Sequence, residues 1–279
     1  TGKAAFVADG AGGLRIYDVT SPTAPSQLSQ VVTTDARGVS VLAGLVYLAD
    51  GSSGLRIYNA ANKSSPSLLW QIATSDAHRV QTTAIYSLVA DGVGGLRVVT
   101  LAGMGSNMNQ VTRLPRTSDE NDNPNHIYIA GNYAYLSSAF LGIRIIDISN
   151  PASPTHVSTL AMNGGAEVAV VHVDGHFLLA AQKNYGAAVY DISNPAAPTT
   201  YCVCNSAPCN WPRAVFGAGG YMYIADGNYG FIIVDTTTPS CGVVGTVAYS
   251  GYYPQAVYVA GKYAYLGSNN GLRIFDVSN

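Results

Sequence analysis

The sequence predicts an all-β protein: a seven-bladed β-propeller of four-stranded antiparallel blades, with the two terminal blades incomplete. Three observations predict it. One phrase recurs seven times along the 279 residues. The recurrences are nearly evenly spaced. No stretch carries a sustained helical period.

The phrase reads AFVADGAGGLRIYDVTSP from Ala5, VYLADGSSGLRIYNAAN from Val46 and SLVADGVGGLRVVTLAG from Ser87. It returns as AYLSSAFLGIRIIDISNP from Ala134 and FLLAAQKNYGAAVYDISNP from Phe177. The last two copies are MYIADGNYGFIIVDTTTP from Met222 and AYLGSNNGLRIFDVSN from Ala264. The glycine opening its second half falls at Gly13, Gly54, Gly95, Gly142, Gly186, Gly230 and Gly271, at intervals of 41, 41, 47, 44, 44 and 41.

Each unit divides into short apolar runs separated by Gly, Pro, Asn and Ser, the pattern of β-strands. A run such as VYLAD comes first, then GLRIYD, then a Pro-rich turn. A shorter run follows (SQLSQVV, THVSTL), and a fourth precedes the next unit (GVSVLAG, QAVYVAG). Four strands per ~40–45 residues make one propeller blade. Proline cannot donate to a ladder, so it stops the third strand. Asp18, Asp147, Asp191, Asp235 and Asp276 stand at that exit. A short carboxylate there accepts from the N–H groups of the turn that follows. The glycine before the third strand is expected at positive φ.

The chain reads as one propeller domain over residues 1–279. It begins inside a unit, at its second strand, and ends after a third strand. An inner strand for the first blade and an outer strand for the last would complete seven blades. The natural chain is therefore expected to continue upstream of Thr1 by one to two strand lengths, about 5–6 residues each. A six-bladed ring with two spare strands is the alternative.

Composition narrows the function classes. The net charge is −2, with 14 Lys+Arg against 16 Asp+Glu. No basic excess exists to neutralise a phosphate backbone, so nucleic acid is not an expected partner. No apolar run approaches the ~20 residues that span a bilayer. Charged residues are 11%, against about a quarter in an average soluble domain, while Tyr (19) and Gly (30) are abundant. That balance is associated with secreted β-rich proteins.

The phrase resembles the LVIVD repeat, whose units read much like GNYAYVADG…GLRIIDVSNP. Its nearest copy is Asn132-Tyr133-Ala134-Tyr135-Leu136 followed by Gly142-Ile143-Arg144-Ile145-Ile146-Asp147-Ile148-Ser149-Asn150-Pro151. The resemblance covers nearly the whole chain. It implies a bacterial, secreted or surface-attached propeller, of a family generally without an assigned activity. Asn59 and Thr100 depart from the exit Asp, and Ala188 and Ile232 from the repeated Arg.

Function must come from a site, because propellers host many unrelated activities. Asp9, Asp50 and Asp91 end one strand, and Arg15, Arg56 and Arg97 lie on the next. Repetition favours a structural ion pair over a ring of cation sites. The residues leading into the innermost strands differ from blade to blade: Arg37, His78, Asn125, Ala166 with Glu167 beside it, Arg213 and Gln255. In a propeller they ring one mouth of the central channel. With Trp211, Tyr252 and Tyr253 nearby, they are the candidates for a ligand or partner surface; solvated loop tips are the default reading.

His172 and His176 flank the hairpin HVDGH and could face each other across it, but zinc needs three or four convergent ligands. Cys202, Cys204, Cys209 and Cys241 are the only cysteines. Cys202 with Cys204 is poor geometry within one strand. That leaves Cys204–Cys209 with Cys202–Cys241, or Cys202–Cys209 with Cys204–Cys241, either of which staples two blades at the rim. A Cys₄ zinc knot is the rival. Disulfides would place the protein outside the cytosol. Asp119, Asn121 and Asn123 imitate the start of a calcium loop, but Pro124 stands where glycine belongs and the closing carboxylate is missing. No cofactor is otherwise expected.

No HExxH, GxSxG or P-loop pattern occurs. The expected function is a non-catalytic extracytoplasmic binding or scaffold module, extracellular, at the cell surface or periplasmic. It would contact another protein of a surface assembly through Tyr-rich loops. The rival class is an enzyme, or a small-ligand or metal binder, with its site at the channel mouth around Arg37, His78 and Arg213.

Overall fold

Among the described residues of the computed structural model, seven antiparallel meanders hold 26 strands. The structure describes residues 3–21, 24–100, 110–114, 122–138, 141–162, 167–248, 251, 253–269 and 271–278. Blade 1 has β1 (Ala4–Ala8), β2 (Leu14–Asp18) and β3 (Ser26–Val31). Blade 2 has β4 (Gly38–Leu42), β5 (Leu45–Ala49), β6 (Leu55–Asn59) and β7 (Ser67–Ile72). Blade 3 has β8 (Arg79–Thr82), β9 (Tyr86–Ala90), β10 (Leu96–Thr100) and β11 (Gln110–Leu114). Blade 4 has β12 (Pro124–Ala130), β13 (Tyr133–Ser138), β14 (Gly142–Asp147) and β15 (Thr155–Leu160). Blade 5 has β16 (Val168–Asp174), β17 (Phe177–Gln182), β18 (Gly186–Asp191) and β19 (Thr199–Cys204). Blade 6 has β20 (Pro212–Ala218), β21 (Tyr221–Asp226), β22 (Gly230–Asp235) and β23 (Val243–Val247), and blade 7 has β24 (Pro254–Ala260), β25 (Tyr263–Ser268) and β26 (Gly271–Asp276).

The fold is thus a seven-bladed propeller, which removes the six-bladed alternative. Among the described residues blade 1 has no inner strand and blade 7 no outer one. Among the described residues the only helical turn is a 3₁₀ turn at Gly92–Gly94. Contacts divide the chain into two compact units, residues 1–127 with 147–155, and 128–146 with 156–279.

The core lies between neighbouring sheets. In the first unit Leu14, Ile16, Val46, Leu48 and Tyr58 fill one layer, and Tyr47, Leu55, Ile57, Val89 and Val99 the next. In the second unit such layers recur around Ile145 with Val171, Val189 with Ile224, and Phe231 with Leu266. Middle strands such as β5 and β21 are packed on both faces, hence their unbroken apolar runs VYLA and MYIA. The outer strands β7 and β15 face solvent for most of their length, hence their mixed sequence.

The turn chemistry follows the sequence. All seven glycines before the third strand take positive φ, from 77° at Gly13 to 102° at Gly142. At Gly186 a methyl group would overlap the carbonyl oxygen of Cys204, where the outer strand ends against it. Each exit carboxylate accepts the N–H two residues on: Thr20 to Asp18 and Ser149 to Asp147, Ser193 to Asp191, Thr237 to Asp235 and Ser278 to Asp276, at 2.7–3.0 Å. Asn59 keeps that role with its amide oxygen, accepting from Ala61 at 2.9 Å.

Candidate functional site

In blades 2, 3 and 6 the segments leading into the innermost strands are held by buried aspartates. Asp50, at the end of β5, is fully buried. It accepts from the Thr33 hydroxyl and the Asp35 N–H, both at 2.7 Å, and pairs with Arg56 Nε at 2.8 Å. Asp91 repeats this one blade on, accepting from Ser75 N–H at 3.0 Å and Asp76 N–H at 2.7 Å and pairing with Arg97. Blade 6 has Ile232 where Arg would stand. There three backbone N–H groups satisfy the buried Asp226: Trp211 at 2.8 Å, Asn228 at 2.9 Å and Tyr229 at 3.0 Å. Blade 5 lacks both charges: Gln182 replaces the Asp, donates to Tyr190 Oη at 2.8 Å, and needs no cation beside it. The Asp50–Arg56 and Asp91–Arg97 pairs are structural, and their shared task is to fix the lead-in turn.

What that turn carries varies. In the first unit Arg37 donates through Nε to Asp35 Oδ2 at 2.7 Å and through Nη1 to Asp76 Oδ1 at 2.8 Å. His78 Nε2 stands 3.0 Å from Asp76 Oδ2 and 3.2 Å from Arg37 Nη1. Burial works against the Arg37 charge, but the two carboxylates outweigh it and raise its pKa. Burial, with Arg37 adding to it, lowers the pKa of His78 below the usual imidazole value. At neutral pH the cluster holds one cation between two carboxylates, with a neutral imidazole at its edge. The neighbouring Arg79 donates Nη1 to the Arg37 carbonyl at 3.3 Å. Asn125 sits half-buried on β12.

In the second unit Lys183 Nζ donates to Glu167 Oε1 at 2.5 Å. The Arg213 guanidinium lies over the Trp211 ring, 5.0 Å from its centroid. Tyr253 is 53% exposed and donates its N–H to Asn269 Oδ1 at 3.1 Å; Gln255 is exposed. Tyr252 and Ala166 lie outside the described residues.

Strand pairing corrects one assignment. Gly38 pairs with Ala49, Ala214 with Ala225 and Val170 with Ala181, so the partner of Arg37 and Arg213 in blade 5 is Ala169, not Ala166. Glu167 takes instead the place of Asp35 and Trp211; Lys183 N–H donates to the Glu167 carbonyl as Gly227 N–H does to Trp211.

The histidines do not face each other. His172 pairs with Leu179, while His176 lies beyond the strand and packs tilted against Phe177 with ring centroids 4.1 Å apart. His172 Nδ1 accepts the Gly217 N–H at 3.1 Å, and burial pushes its pKa down to about 4. It belongs to a ladder that the sequence reading missed. Tyr128, His172, Phe216 and Tyr258, one from each of β12, β16, β20 and β24, pack in tilted and edge-to-face contacts with ring centroids 4.7, 4.2 and 5.0 Å apart. The signal was an aromatic ring or imidazole at intervals of 44, 44 and 42 residues. Near the hairpin a shallow cavity of about 310 Å³ is lined by His176, Phe177, Tyr201, Tyr221 and Thr237.

The cysteines pair as Cys202–Cys241 and Cys204–Cys209, with Cα–Cα distances of 5.8 and 5.7 Å. The first of the two anticipated patterns is therefore the one adopted, and no thiolate is left for zinc. Cys202–Cys241 ties the outer strand of blade 5 to the turn before β23 of blade 6. Of the calcium candidates, Asp119 and Asn121 lie outside the described residues, and Asn123 Oδ1 is buried beside Gly92. No group of three or more His, Cys, Asp or Glu among the described residues could hold a metal ion. No helix among them is long and apolar enough to cross a membrane.

Repeated four-stranded meanders with fixed lead-in turns define a β-propeller. The chain belongs to the LVIVD repeat family, whose repeats match residues 1–34, 33–74, 124–161, 165–206, 214–244 and 251–279. The longest unmatched stretch, residues 75–123, includes all four strands of blade 3, where Thr100 replaces the exit Asp. No curated protein matches the chain. Among solved structures, a candidate 6-phosphogluconolactonase from Bacteroides fragilis is similar, with a TM-score of 0.77 and 15% identity, covering 98% of this chain and 89% of that one. Sqt1 of Saccharomyces cerevisiae matches at TM-score 0.76 and 11% identity, covering 99% and 80%. The computationally designed protein Ika8 matches at 0.76 and 9%, covering 99% and 81%. At such identities the likeness is one of fold alone. The two disulfides are compatible with an oxidising compartment.

Proposed function

We propose that the protein is a non-catalytic, extracytoplasmic binding or scaffold propeller that docks another protein of a cell-surface or extracellular assembly. One observation carries this reading. Buried aspartates hold the lead-in turns in one backbone arrangement, while the side chains displayed there change from Asp35-Arg37 to Asp76-His78 to Trp211-Arg213. A fixed frame with varied tips is what a recognition surface needs, because preorganised side chains lose little entropy on binding. Exposed Tyr253 adds large amphipathic area at low entropic cost. The Arg37–Asp35–Asp76–His78 cluster favours binding over catalysis: its charges are spent on one another, and among the described residues the side chain of His78 bonds to Asp76 and Arg37.

Photo-crosslinking residues placed at Trp211 and at Gln255, in cells producing the protein, test the reading. Both positions should capture the same protein, and Lys262, on the hairpin turn at the opposite end of the sheet, should not. Surface biotinylation of intact cells should label the chain. Capture nowhere, or equal capture at Lys262, would reject the docking role.

A further inference from the structure

Two arginines occupy the same place in the fold and live in opposite electrostatic conditions. Arg37 precedes Gly38, which pairs with Ala49; Arg213 precedes Ala214, which pairs with Ala225. Around Arg37, the residue two before it is Asp35, and the matching residue of the next blade is Asp76. Both carboxylates bind its guanidinium, at 2.7 and 2.8 Å. Around Arg213, the residue two before it is Trp211. By the same register, with Ala256 paired to Gly267, the matching residue of the next blade is Tyr253. Both carboxylates have been exchanged for aromatic rings.

The consequences are visible at the side chain. Among the described residues Arg213 has no ion pair; its contact is the Trp211 ring below it, 5.0 Å away. Its Nε is buried without a hydrogen-bond acceptor, and so is the indole Nε1 of Trp211. Gly227 packs against it: a Cβ there would stand 3.4 Å from Arg213 Nε. An arginine always carries its charge and presents a planar fork of donors that matches a carboxylate in two places. Stacking on tryptophan holds that fork in orientation without neutralising it.

We propose that Arg213, stacked on Trp211 and with Tyr253 at the register position that Asp76 holds for Arg37, is a carboxylate-binding site, and that its ligand supplies the acidic groups that Asp35 and Asp76 supply in cis to Arg37. The site goes beyond the docking role and does not depend on it, since a free carboxylate can fill it with no protein present. The same chemistry can come from a small carboxylic acid or from Asp or Glu of a partner protein.

The two tryptophans of the chain, Trp70 and Trp211, make a direct test. With Trp70→Phe as background, Trp211 fluorescence is titrated with acetate and with a tetraglutamate peptide, at ionic strength held constant with chloride. A saturable change is expected. Arg213→Gln should weaken it by about tenfold or more, the loss expected for hydrogen bonds to a charged group, and Arg37→Gln should leave it intact. Calorimetry on Trp211→Asp provides a second arm. That variant restores a carboxylate in cis and should no longer bind acetate, which remains informative if Arg213→Gln fails to fold. Peptide binding at least about tenfold tighter than acetate points to a protein side chain, and comparable binding points to a free acid. A response to chloride equal to that with acetate, no saturation with either probe, or unchanged binding in Trp211→Asp would overturn the proposal.

Discussion

The carboxylate of Asp50 and the guanidinium of Arg56 pair at 2.8 Å with Asp50 wholly buried and Arg56 only 20% exposed, whereas the same sequence pair one blade earlier, Asp9 and Arg15, is 46% and 31% exposed. One motif thus produces two interactions of different strength. Removing Asp50 leaves a mostly buried cation and strips the Thr33 hydroxyl and the Asp35 N–H of their acceptor. Asp50→Ala should cost about 3–5 kcal/mol. Asp9→Ala should cost at most about 1 kcal/mol, since exposed pairs are screened. Urea denaturation of the two variants compares them directly. Equal losses would show that burial does not set the strength of the motif.

The motif also shows what a sequence discloses. The recurring glycine, the exit Asp and the Asp–Arg pair act within some six residues, so their roles are legible locally. The bonds from Asp50 to Thr33 and Asp35 reach back 17 and 15 residues into the connection from the previous blade, and no local pattern announces them. Blade 5 is hard to align from sequence because AEVAVVHV offers neither an Arg nor a Pro to mark the register; the bulge between Val168 and Val170 recurs in blades 6 and 7, where Pro212 and Pro254 mark it. The contrast between Arg37 and Arg213 was out of reach for the same reason. It depends on which residues of the next blade stand beside each guanidinium.

Cys202–Cys241 spans 39 residues of chain and Cys204–Cys209 only 5. Loop-closure entropy then favours the first by a clear margin, about 4 kcal/mol against about 2 kcal/mol. The Cys202→Ala/Cys241→Ala protein should therefore melt well below the Cys204→Ala/Cys209→Ala protein. Alanine is chosen because all four sites are buried. A reversed order would mean that local packing outweighs the cross-link.

Gly186 and Gly175 both take positive φ, at 85° and 60°, but only Gly186 has a backbone carbonyl against it. Gly175→Ala should cost about 1–2 kcal/mol, the penalty of the left-handed region for an L-residue. Gly186→Ala must also displace the end of β19, and a loss on the order of 3 kcal/mol or more is expected. Thermal melts of the two variants measure the difference, and similar melting points would show that β19 yields freely.

His172 is expected to contribute to the acid sensitivity of the second unit. Its ring lies between Tyr128 and Phe216, and desolvation pushes its pKa to about 4, with Asp174 opposing in part. An unfolded histidine titrates near 6.5. Between those values the unfolded chain binds the proton and the folded chain does not, so stability falls as the pH drops. The contribution is fully present above about pH 6.5 and is lost progressively toward pH 4, to a total of no more than about 3 kcal/mol. His172→Asn keeps an oxygen to accept the Gly217 N–H and removes the titrating ring. It should be somewhat less stable at pH 7, through lost stacking, and should show a flatter loss between pH 6.5 and 4. Denaturation midpoints across that range decide the matter. Parallel curves for the two proteins would assign the acid sensitivity to other groups.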